Sequence, residues 1–418
     1  MEKFLFHKIS ASLFLLFLFH FSSIFSLASG YVLPEKYFIN CGSASSFMFA
    51  GQTFIGDENP STFTLSSHKI STINKDPTSA KDLYQSARIF KKPSWYELDE
   101  VQNGTYMVRF HFFPFSSEEN LFDAQFNILA SGFSLLSNFS VKNGSSLPVI
   151  KEFFLNINTS GKLKIHFLPQ NSLAFVNAIE FFLTPFKFIP DYITPEGNAT
   201  DYKSPLSSPL RVIHRINVGG SNIMPNNDTL LRSWIPDDAY LFNKDSAINK
   251  FSTDSPIDYV TGEATTFDAP DFVYKTAKLM NTSESRPNNN FNISWNFDVK
   301  KRATHFVRVH FCDIVPQTSN ERLEFNLSIY GNFGTGINPF YSTGRNAAPF
   351  LVDIVVDSDD SGFMKISIGP PSDSRHKISF LNGVEIMELV KDTGSAPEDD
   401  TKKGSFTIIG SCIGGVLV

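Results

Sequence analysis

The side chains best suited to chemistry are an arginine and a histidine that occur twice in the same pattern. Arg109 and His111 alternate with apolar residues, and Arg308 and His310 repeat that arrangement in the second half of the chain. Alternation with a period of two is typical of a strand that buries one face, so each pair lies on the polar face. No Ser, Cys or Asp stands at a spacing that suggests a catalytic triad. We therefore predict a hydrogen-bonded structural face at both positions.

Paired carboxylates suggest a second chemistry, the hydrolysis of glycosidic bonds. A glycosidase places two acids about 5–10 Å apart across the sugar. The pairs Asp237-Asp238 and Asp359-Asp360 are adjacent acids in loops that contain Pro or Ser, a setting typical of surface charge. Glu180 and Glu385 occur at matching positions of a repeat, which favours a shared structural role. We therefore predict that this chain is not an enzyme, with a secreted glycosidase as the remote alternative.

A short acidic stretch resembles a metal-binding loop. The segment from Asp357 to Gly362 has suitable residues at the first, third, fifth and sixth positions of a calcium loop. The twelfth position is Ile368, where such a loop requires a bidentate Glu. No spacing of Cys and His resembles a zinc site. We predict a solvated hairpin turn here, with neither a metal nor a cofactor.

Several aromatic and polar residues have the chemistry to bind a carbohydrate. Binding of this kind needs exposed rings that stack on the sugar, with polar side chains that bond its hydroxyl groups. The alternative is that Trp234 and Tyr240 pack the linker between the two halves of the chain against the second half. The candidate ligand-binding residues are Trp95, Tyr96, Arg232, Trp234, Asp237, Asp238 and Tyr240.

The elements that must position these residues occur twice along the chain, because four segments of the first half recur in order in the second. Short alternating strands bounded by Gly, Asn, Pro and Ser predict an all-β fold of two tandem sandwiches, of jelly-roll type. We place the modules at 31–188 and 210–390, with a Pro- and Ser-rich linker at 189–209. The matching segments are 38–43 with 215–221, 108–112 with 307–311, 126–127 with 325–326, and 175–180 with 380–385.

Both ends of the chain indicate export to a membrane. A basic start, an apolar middle and small residues at the end make residues 1–30 a predicted signal peptide, with a membrane anchor as the alternative. Residues 391–405 form a predicted polar juxtamembrane linker. Residues 406–418 carry no charge but are fewer than the roughly 20 that a spanning helix needs. We read them as a truncated transmembrane helix, with a buried core helix as the alternative.

Composition supports an extracellular location. The net charge of −6 is spread without blocks, so nucleic acid is an unfavoured partner. Of three cysteines, Cys412 lies in the apolar C-terminal run, and we predict Cys41 and Cys312 to be buried thiols, with a bridge as the alternative. Nine Asn-X-Ser/Thr sequons predict a glycosylated surface. They begin at Asn103, Asn138, Asn143, Asn158, Asn198, Asn227, Asn281, Asn292 and Asn326.

A set of short motifs in a fixed order resembles one family. The motifs are Asn40-Cys41-Gly42-Ser43, Arg88-Ile89-Phe90, Arg109-Phe110-His111-Phe112, Arg232-Ser233-Trp234, Asp238-Ala239-Tyr240-Leu241, Ala269-Pro270, Val273-Tyr274, Thr276-Ala277, Phe291-Asn292-Ile293-Ser294-Trp295 and Val307-Arg308-Val309-His310-Phe311-Cys312-Asp313. With them, the chain resembles the ectodomains of the plant malectin-like receptor kinases, of the FERONIA and THESEUS type.

The resemblance implies two malectin-like β-sandwich modules outside a single-pass plasma-membrane protein with a cytoplasmic Ser/Thr kinase. It also implies pectin-type wall polysaccharide and small secreted cysteine-containing peptides as partners, with a lipid-anchored co-receptor. The chain departs from the pattern because no kinase motif follows: the Gly-rich loop, the His-Arg-Asp loop and the Asp-Phe-Gly motif are absent from this sequence.

The leading hypothesis is therefore an extracellular region that binds a peptide or a wall carbohydrate and signals at the cell surface. A kinase-less decoy that competes with full-length relatives, or a secreted or anchored carbohydrate-binding protein, is the alternative.

Overall fold

The computed structural model describes residues 31–34, 36–66, 70–76, 82–141, 147–193, 204–252, 256–281, 292–315, 323–331, 333–371 and 378–391. These residues form β-strands joined by turns, with only two short α-helices among them. The predicted all-β fold is confirmed. The predicted signal peptide, Cys412 and the predicted membrane run lie outside the described residues. Within the described residues, no helix has the length and apolar character needed to cross a membrane.

The described residues of the first half form fourteen strands and two 3₁₀ turns, Asp82–Tyr84 and Leu121–Asp123. The strands are β1 (Phe38–Asn40), β2 (Phe47–Phe49), β3 (Gln52–Gly56), β4 (Phe63–Leu65), β5 (Ile70–Ile73), β6 (Ser86–Phe90), β7 (Ser94–Val101), β8 (Gly104–Phe112), β9 (Phe126–Ala130), β10 (Phe133–Phe139), β11 (Val149–Ile157), β12 (Gly161–Pro169), β13 (Ala174–Val176) and β14 (Ala178–Leu183).

The second half contains twelve described strands, and its helices are α1 (Asp271–Tyr274) and α2 (Pro339–Thr343). The strands are β15 (Leu210–Asn217), β16 (Ile235–Pro236), β17 (Ala247–Phe251), β18 (Thr276–Met280), β19 (Ile293–Asp298), β20 (Thr304–Cys312), β21 (Phe325–Ile329), β22 (Phe333–Ile337), β23 (Pro349–Asp357), β24 (Phe363–Gly369), β25 (Phe380–Leu381) and β26 (Gly383–Leu389). Its 3₁₀ turns are Pro205–Ser207, Pro225–Asn227 and Lys244–Ser246.

One large sheet runs through both halves in the order β2-β3-β1-β14-β8-β11-β15-β26-β20-β23, with β16 beside β15. The sequence repeat is visible in this sheet, because the strands of the second half follow the same order as those of the first: β15-β26-β20-β23 corresponds to β1-β14-β8-β11. The halves join where β11 pairs with β15, Phe153 opposite Arg211 and Phe154 opposite Leu210. The sequence predicted two tandem modules. The sheet that they share was not predicted.

Smaller sheets cover the large sheet and close each sandwich. In the first half they are β10-β9-β12-β7-β4 and β13-β6-β5, and in the second half β19-β24-β21-β22 and β17-β18-β25. Phenylalanine fills the space between layers: Phe110 and Phe167 meet edge to face, and the ring centres of Phe311 and Phe325 lie 5.9 Å apart. Each fully buried aromatic side chain contributes about 2–3 kcal/mol. Many of the 44 Phe of the chain are therefore core residues of the two sandwiches.

Two smaller predictions concern cysteines and a turn. Cys41 and Cys312 are free and buried, as predicted. Burial raises the pKa of Cys312 to about 12 and that of Cys41 well above its usual value, so both thiols stay protonated. The segment from Asp357 to Gly362 connects β23 of the large sheet to β24 of a smaller sheet, and its Ser361 donates to Asp359. Asp359 and Asp360 are exposed, so the predicted solvated turn is confirmed. The prediction that this turn closes a hairpin is wrong, because the two strands belong to different sheets and do not pair.

Candidate functional site

Two of the predicted sugar-binding residues form the interior of the segment that follows β15. Arg232 and Trp234 have no accessible surface. The Arg232 Nε and the Trp234 Nε1 donate to the Asp228 carboxylate at 2.9 Å each, and the Arg232 guanidinium also donates to the carbonyls of Phe267 and Asp268. These bonds fasten the segment to the second module, because an Arg and a Trp buried without partners would be unfavourable.

Two further candidates are buried hydrogen-bonding groups. The Asp237 carboxylate accepts from the Gly219 amide at 2.9 Å and from Trp295 Nε1 at 2.7 Å. The Tyr96 hydroxyl donates to the Asp57 carboxylate at 2.6 Å in the first module. Side chains without accessible surface cannot stack on a sugar, so the prediction that Arg232, Trp234, Asp237 and Tyr96 contact a ligand is corrected.

The remaining candidates reach the surface at separate places. The Asp238 side chain is exposed and accepts a hydrogen bond from Lys278 Nζ at 2.8 Å. Tyr240 is half-buried, with the rings of His214 and Phe297 about 5 Å away. Trp95 lies on the outer face of β7 in the other module. Only these three candidates are accessible, and they do not form one site.

The repeated histidine forms a buried hydrogen-bonded group in each module. In the first module, His111 Nε2 lies 2.7 Å from the Glu180 carboxylate and Nδ1 lies 2.9 Å from the Tyr84 hydroxyl. Arg109 is opposite Glu180 in the pairing of β8 with β14. All four side chains are buried. The predicted hydrogen-bonded structural face is confirmed here.

The second module repeats these contacts at the same positions of its strands. His310 lies 3.2 Å from the carboxylate of Glu385 and 3.2 Å from the hydroxyl of Tyr274. Burial lowers the pKa of His310, although the Glu385 carboxylate opposes that change. The ring is therefore held in a neutral, hydrogen-bonded state that organises the sheet.

A chain of buried charges crosses the boundary between the modules. Arg109 pairs with Glu152 and Glu180 in the first module. Arg215 of the second module pairs with Glu152 across the boundary and, at 2.7 Å, with Glu385 of its own module. Charges of opposite sign alternate from one end to the other, so each buried charge has a partner. The sequence predicted a structural role for Glu180 and Glu385, but not a link between modules.

The two repeated arginines also hold backbone carbonyls of the opposite module. Arg109 Nη2 donates to the Leu230 carbonyl at 2.7 Å, and Arg308 Nη2 donates to the Phe188 carbonyl at 2.8 Å. Arg308 pairs with Asp353 in the same way as Arg109 pairs with Glu152. An arginine of each module therefore donates to a backbone carbonyl of the other module, and these two hydrogen bonds help to hold the modules together.

These pairs shift the acid–base equilibria of the buried carboxylates. Burial on its own would raise the pKa of Glu152, but the guanidinium groups of Arg215 and Arg109 lower it to about 2. The pKa of Glu385 and that of Glu180 are also lowered, against burial, by Arg215 and Arg109 respectively. The carboxylates therefore remain ionised at neutral and mildly acidic pH.

An open cleft of about 250 Å³ lies over this chain of charges. One wall is the β2–β3 hairpin with Phe49 and Phe54, and the other is the segment from Pro225 to Ile235. Ile150 and Ile235 line the cleft and are each about 40% exposed. A cleft between the modules was expected from the sequence, but none of its lining residues was predicted, because apolar residues at its mouth have the same pattern as core residues.

The cleft is suited to binding by contact. The charged side chains of its floor are already paired with one another, and its walls are apolar and accessible. Among the described residues, no group of three or more His, Cys, Asp or Glu side chains is placed to hold a metal ion.

The sequons that the structure describes are accessible. Six of these Asn residues are exposed and Asn281 is half-buried, while Asn143 and Asn198 lie outside the described residues. Asn227 is in the 3₁₀ turn beside Pro225 at the cleft. Their glycosylation stays a prediction. The described and exposed sequon residues are Asn103, Asn138, Asn158, Asn227, Asn292 and Asn326.

Comparison with known proteins places this architecture in one family. The malectin-like domain family matches residues 39–389. The chain is 40% identical over 376 residues to the probable receptor-like protein kinase At2g23200 of Arabidopsis thaliana, covering 88% of this chain and 43% of that protein. It is 33% identical over 412 residues to the receptor-like protein kinase HERK 1 of the same plant, covering 95% and 48%. The chain thus spans about half the length of these relatives.

A solved structure supports the same assignment. The crystal structure of the plant peptide RALF23 in complex with FER and LLG2 contains a chain that matches with a TM-score of 0.73 and 28% identity, covering 88% of this chain and 99% of that one. The structural and sequence matches both extend across the two modules. The chain therefore belongs to the malectin-like family and is homologous to the ectodomains of the FERONIA and THESEUS receptor-like kinases.

Proposed function

We propose that this chain is the extracellular ligand-binding region of a plant receptor-like kinase and recognises a secreted cysteine-containing peptide in the cleft between its modules. The protein would be held in the plasma membrane by a single helix and would act with a lipid-anchored co-receptor. The observation that carries this proposal is an accessible apolar cleft over a fixed module boundary. A homologous chain, FER, has been solved with the peptide RALF23 and LLG2.

The walls of the cleft have the properties of a peptide-binding surface. Ile150 and Ile235 line the walls and are each about 40% exposed, so apolar side chains are available for contact with a partner. The ion pairs of the floor hold the cleft in place in the free protein, so little conformational entropy is lost on binding. A preformed apolar cleft favours recognition of a short segment.

Substitution of an apolar wall residue tests the proposal. We expect Ile150→Asp and Ile235→Asp each to weaken peptide binding about tenfold or more, since a charge would be buried against apolar peptide side chains. Both positions are partly exposed, so the fold tolerates the change. Calorimetry with a panel of family-type cysteine-containing peptides measures the affinity.

Tyr341→Asp is the matched control, because Tyr341 is 86% exposed and lies outside the cleft. It should leave the affinity unchanged. If both wall variants bind as tightly as the parent protein while circular dichroism shows an intact fold, the cleft is not the peptide site.

A second candidate function, binding of acidic wall polysaccharide, is favoured by the surroundings of Trp95. The Lys164 ammonium lies 4.7 Å from the Trp95 ring centre, and the His166 ring lies 6.0 Å away. A depression of about 320 Å³ adjoins them and is lined by Lys162 and Glu97. An aromatic face with ammonium groups suits a chain of uronic acids, since rings stack on sugars and lysines attract carboxylates.

Trp95→Ala should reduce retention of the ectodomain on a pectin column by at least threefold, because the stacking surface is lost. Phe186→Ala is the control, since Phe186 is 91% exposed on a different part of the molecule. Equal retention of the parent protein and the Trp95 variant would remove this candidate.

A further inference from the structure

Strand β23 is the open end of the large sheet in the second module. Among the described residues it pairs with β20 and with no second strand. Three successive residues at its middle, Leu351, Val352 and Asp353, are partly exposed, whereas all nine residues of β20 are buried. Because successive side chains of a strand point to opposite faces, exposure on both faces indicates an accessible edge. Such an edge presents amides and carbonyls that can pair with another strand.

The first module has the same edge, but there another strand occupies it. Strand β11 corresponds to β23, because β11 pairs with β8 as β23 pairs with β20. Glu152 of β11 is opposite Arg109. Asp353 of β23 is opposite Arg308, which is the repeat of Arg109. On its other side β11 pairs with β15, so an edge of this kind receives an extended, antiparallel segment.

The strand on the first edge also brings a cation. Arg215 of β15 bonds the Glu152 carboxylate, which Arg109 bonds as well. The corresponding Asp353 is bonded by Arg308 at 2.8 Å, and no second cation of the described residues pairs with it. The Asp353 side chain is 17% exposed, against 9% for Glu152. The second edge therefore lacks both the added strand and its arginine.

A depression of about 550 Å³ adjoins this edge and suits a basic side chain. Leu351 and Asp353 line it from β23, and Phe186 lines it from the linker. Phe186 is 91% exposed, and the Lys187 ammonium lies 5.5 Å from its ring centre, so this ring already faces a cation. Three carboxylates and two cationic side chains line the depression, which gives it a negative balance. These charged residues are Lys187, Glu263, Asp268, Arg308 and Asp353.

We propose that the outer edge of β23 binds an extended segment of a partner protein, which pairs antiparallel with the strand and places an arginine or lysine on Asp353. Apolar residues before the basic one lie against Leu351, as Val212 and Ile213 precede Arg215 in β15. The segment comes from another protein, because β15, which has this pattern, is already paired on both sides by β11 and β26. The surface is separate from the cleft at the module boundary, since the depression and the cleft share no lining residue.

The probe is a synthetic peptide that copies residues 209–217, because this segment contains β15 and occupies the corresponding edge of the first module. We expect it to bind the secreted ectodomain in calorimetry and to slow hydrogen exchange of the amides of β23. A peptide with Arg215→Met should bind about tenfold more weakly, because the charged bond to Asp353 is lost. A peptide with Arg211→Met is the matched control for net charge and should bind like the parent peptide.

A variant of the protein locates the site without removing a native ion pair. Leu351→Lys places an ammonium beside Asp353, and lysine on an open edge opposes pairing, so the peptide should lose about tenfold or more in affinity. Ile248→Lys is the control, because Ile248 is 48% exposed on β17, an edge strand of another sheet. It should bind the peptide like the parent protein, and circular dichroism should show both variants folded.

Four results would overturn the inference. They are no binding of the parent peptide, equal affinity of the parent and Arg215→Met peptides, protection of another edge strand in place of β23, and self-association of the parent protein that Leu351→Lys abolishes. The last result would assign the edge to a second copy of this chain.

Discussion

Gly42→Ala is expected to destabilise the first module severely, and Gly219→Ala the second. A Cβ at Gly42 would lie 2.3 Å from the Ala87 carbonyl oxygen, and one at Gly219 would lie 2.2 Å from that of Ala277. Both contacts are with backbone and cannot be relieved by a side-chain rotation. Both glycines also have a positive φ, which costs a residue with a side chain about 1–2 kcal/mol.

Moving the turn to relieve the contact would break a further bond in each module. The Gly42 amide donates to the buried Asp57 carboxylate at 2.8 Å, and the Gly219 amide donates to Asp237 at 2.9 Å. We expect each substitution to lower the free energy of unfolding by about 4 kcal/mol or more, a range reached only by severe core changes. Guanidinium denaturation of the secreted ectodomain, with the secreted yield, measures the effect.

Gly51→Ala is the matched control for backbone strain. Gly51 has a φ of +83°, but no atom of the described residues lies within 4 Å of an added Cβ. It should cost about 1 kcal/mol, from conformation alone. If Gly42→Ala costs no more than Gly51→Ala, the close approach between Gly42 and the strand that contains Ala87 is absent in solution.

The recurrence of these glycines was visible in the sequence, but its reason was not. The matching segments around Gly42 and Gly219 predicted a repeated element, and the alternation around His111 predicted a strand with one polar face. Both predictions depend on local patterns, which the chain carries in its own order. The contact with Ala87 joins residues far apart in the chain, so spacing alone could not predict it.

The candidate binding residues show where sequence reasoning fails. An Arg and a Trp near acidic residues occur both in exposed binding sites and in hydrogen-bonded interiors, so the residue types alone do not distinguish the two. Arg232 and Trp234 can be buried because the Asp228 carboxylate accepts a hydrogen bond from each of these side chains. The pairing of β11 with β15 could not be predicted from the sequence either, because periodicity identifies strands but does not show which strand edges pair. The cleft depends on that pairing.

Arg215→Met is expected to weaken the coupling between the two modules, so that they no longer unfold together. Arg215 bonds Glu152 of the first module and Glu385 of the second, and all three side chains are buried. Removing one partner of a buried pair costs about 3–5 kcal/mol, because the remaining charges are left without compensation. We expect a lower unfolding midpoint and, in calorimetry, two transitions in place of one.

Two variants separate this mechanism from a general loss of charge. Arg302→Met removes an exposed pair with Asp360 and should not measurably change stability. The double variant Arg215→Met with Glu152→Gln should recover part of the loss, because one uncompensated carboxylate is gone. A double variant no more stable than Arg215→Met alone would count against the charge argument.

The pH dependence of the loss identifies its source. Glu152, with its pKa lowered to about 2 by the two arginines against burial, contributes stability above its unfolded value of about 4.3. That contribution disappears as the pH falls from about 4.3 towards 2, since the unfolded chain then binds more protons. In Arg215→Met the carboxylate is less stabilised and protonates at higher pH, so parent and variant stabilities should converge in acid. A constant difference between pH 7 and pH 3 would mean that lost packing, and not the buried charges, joins the modules.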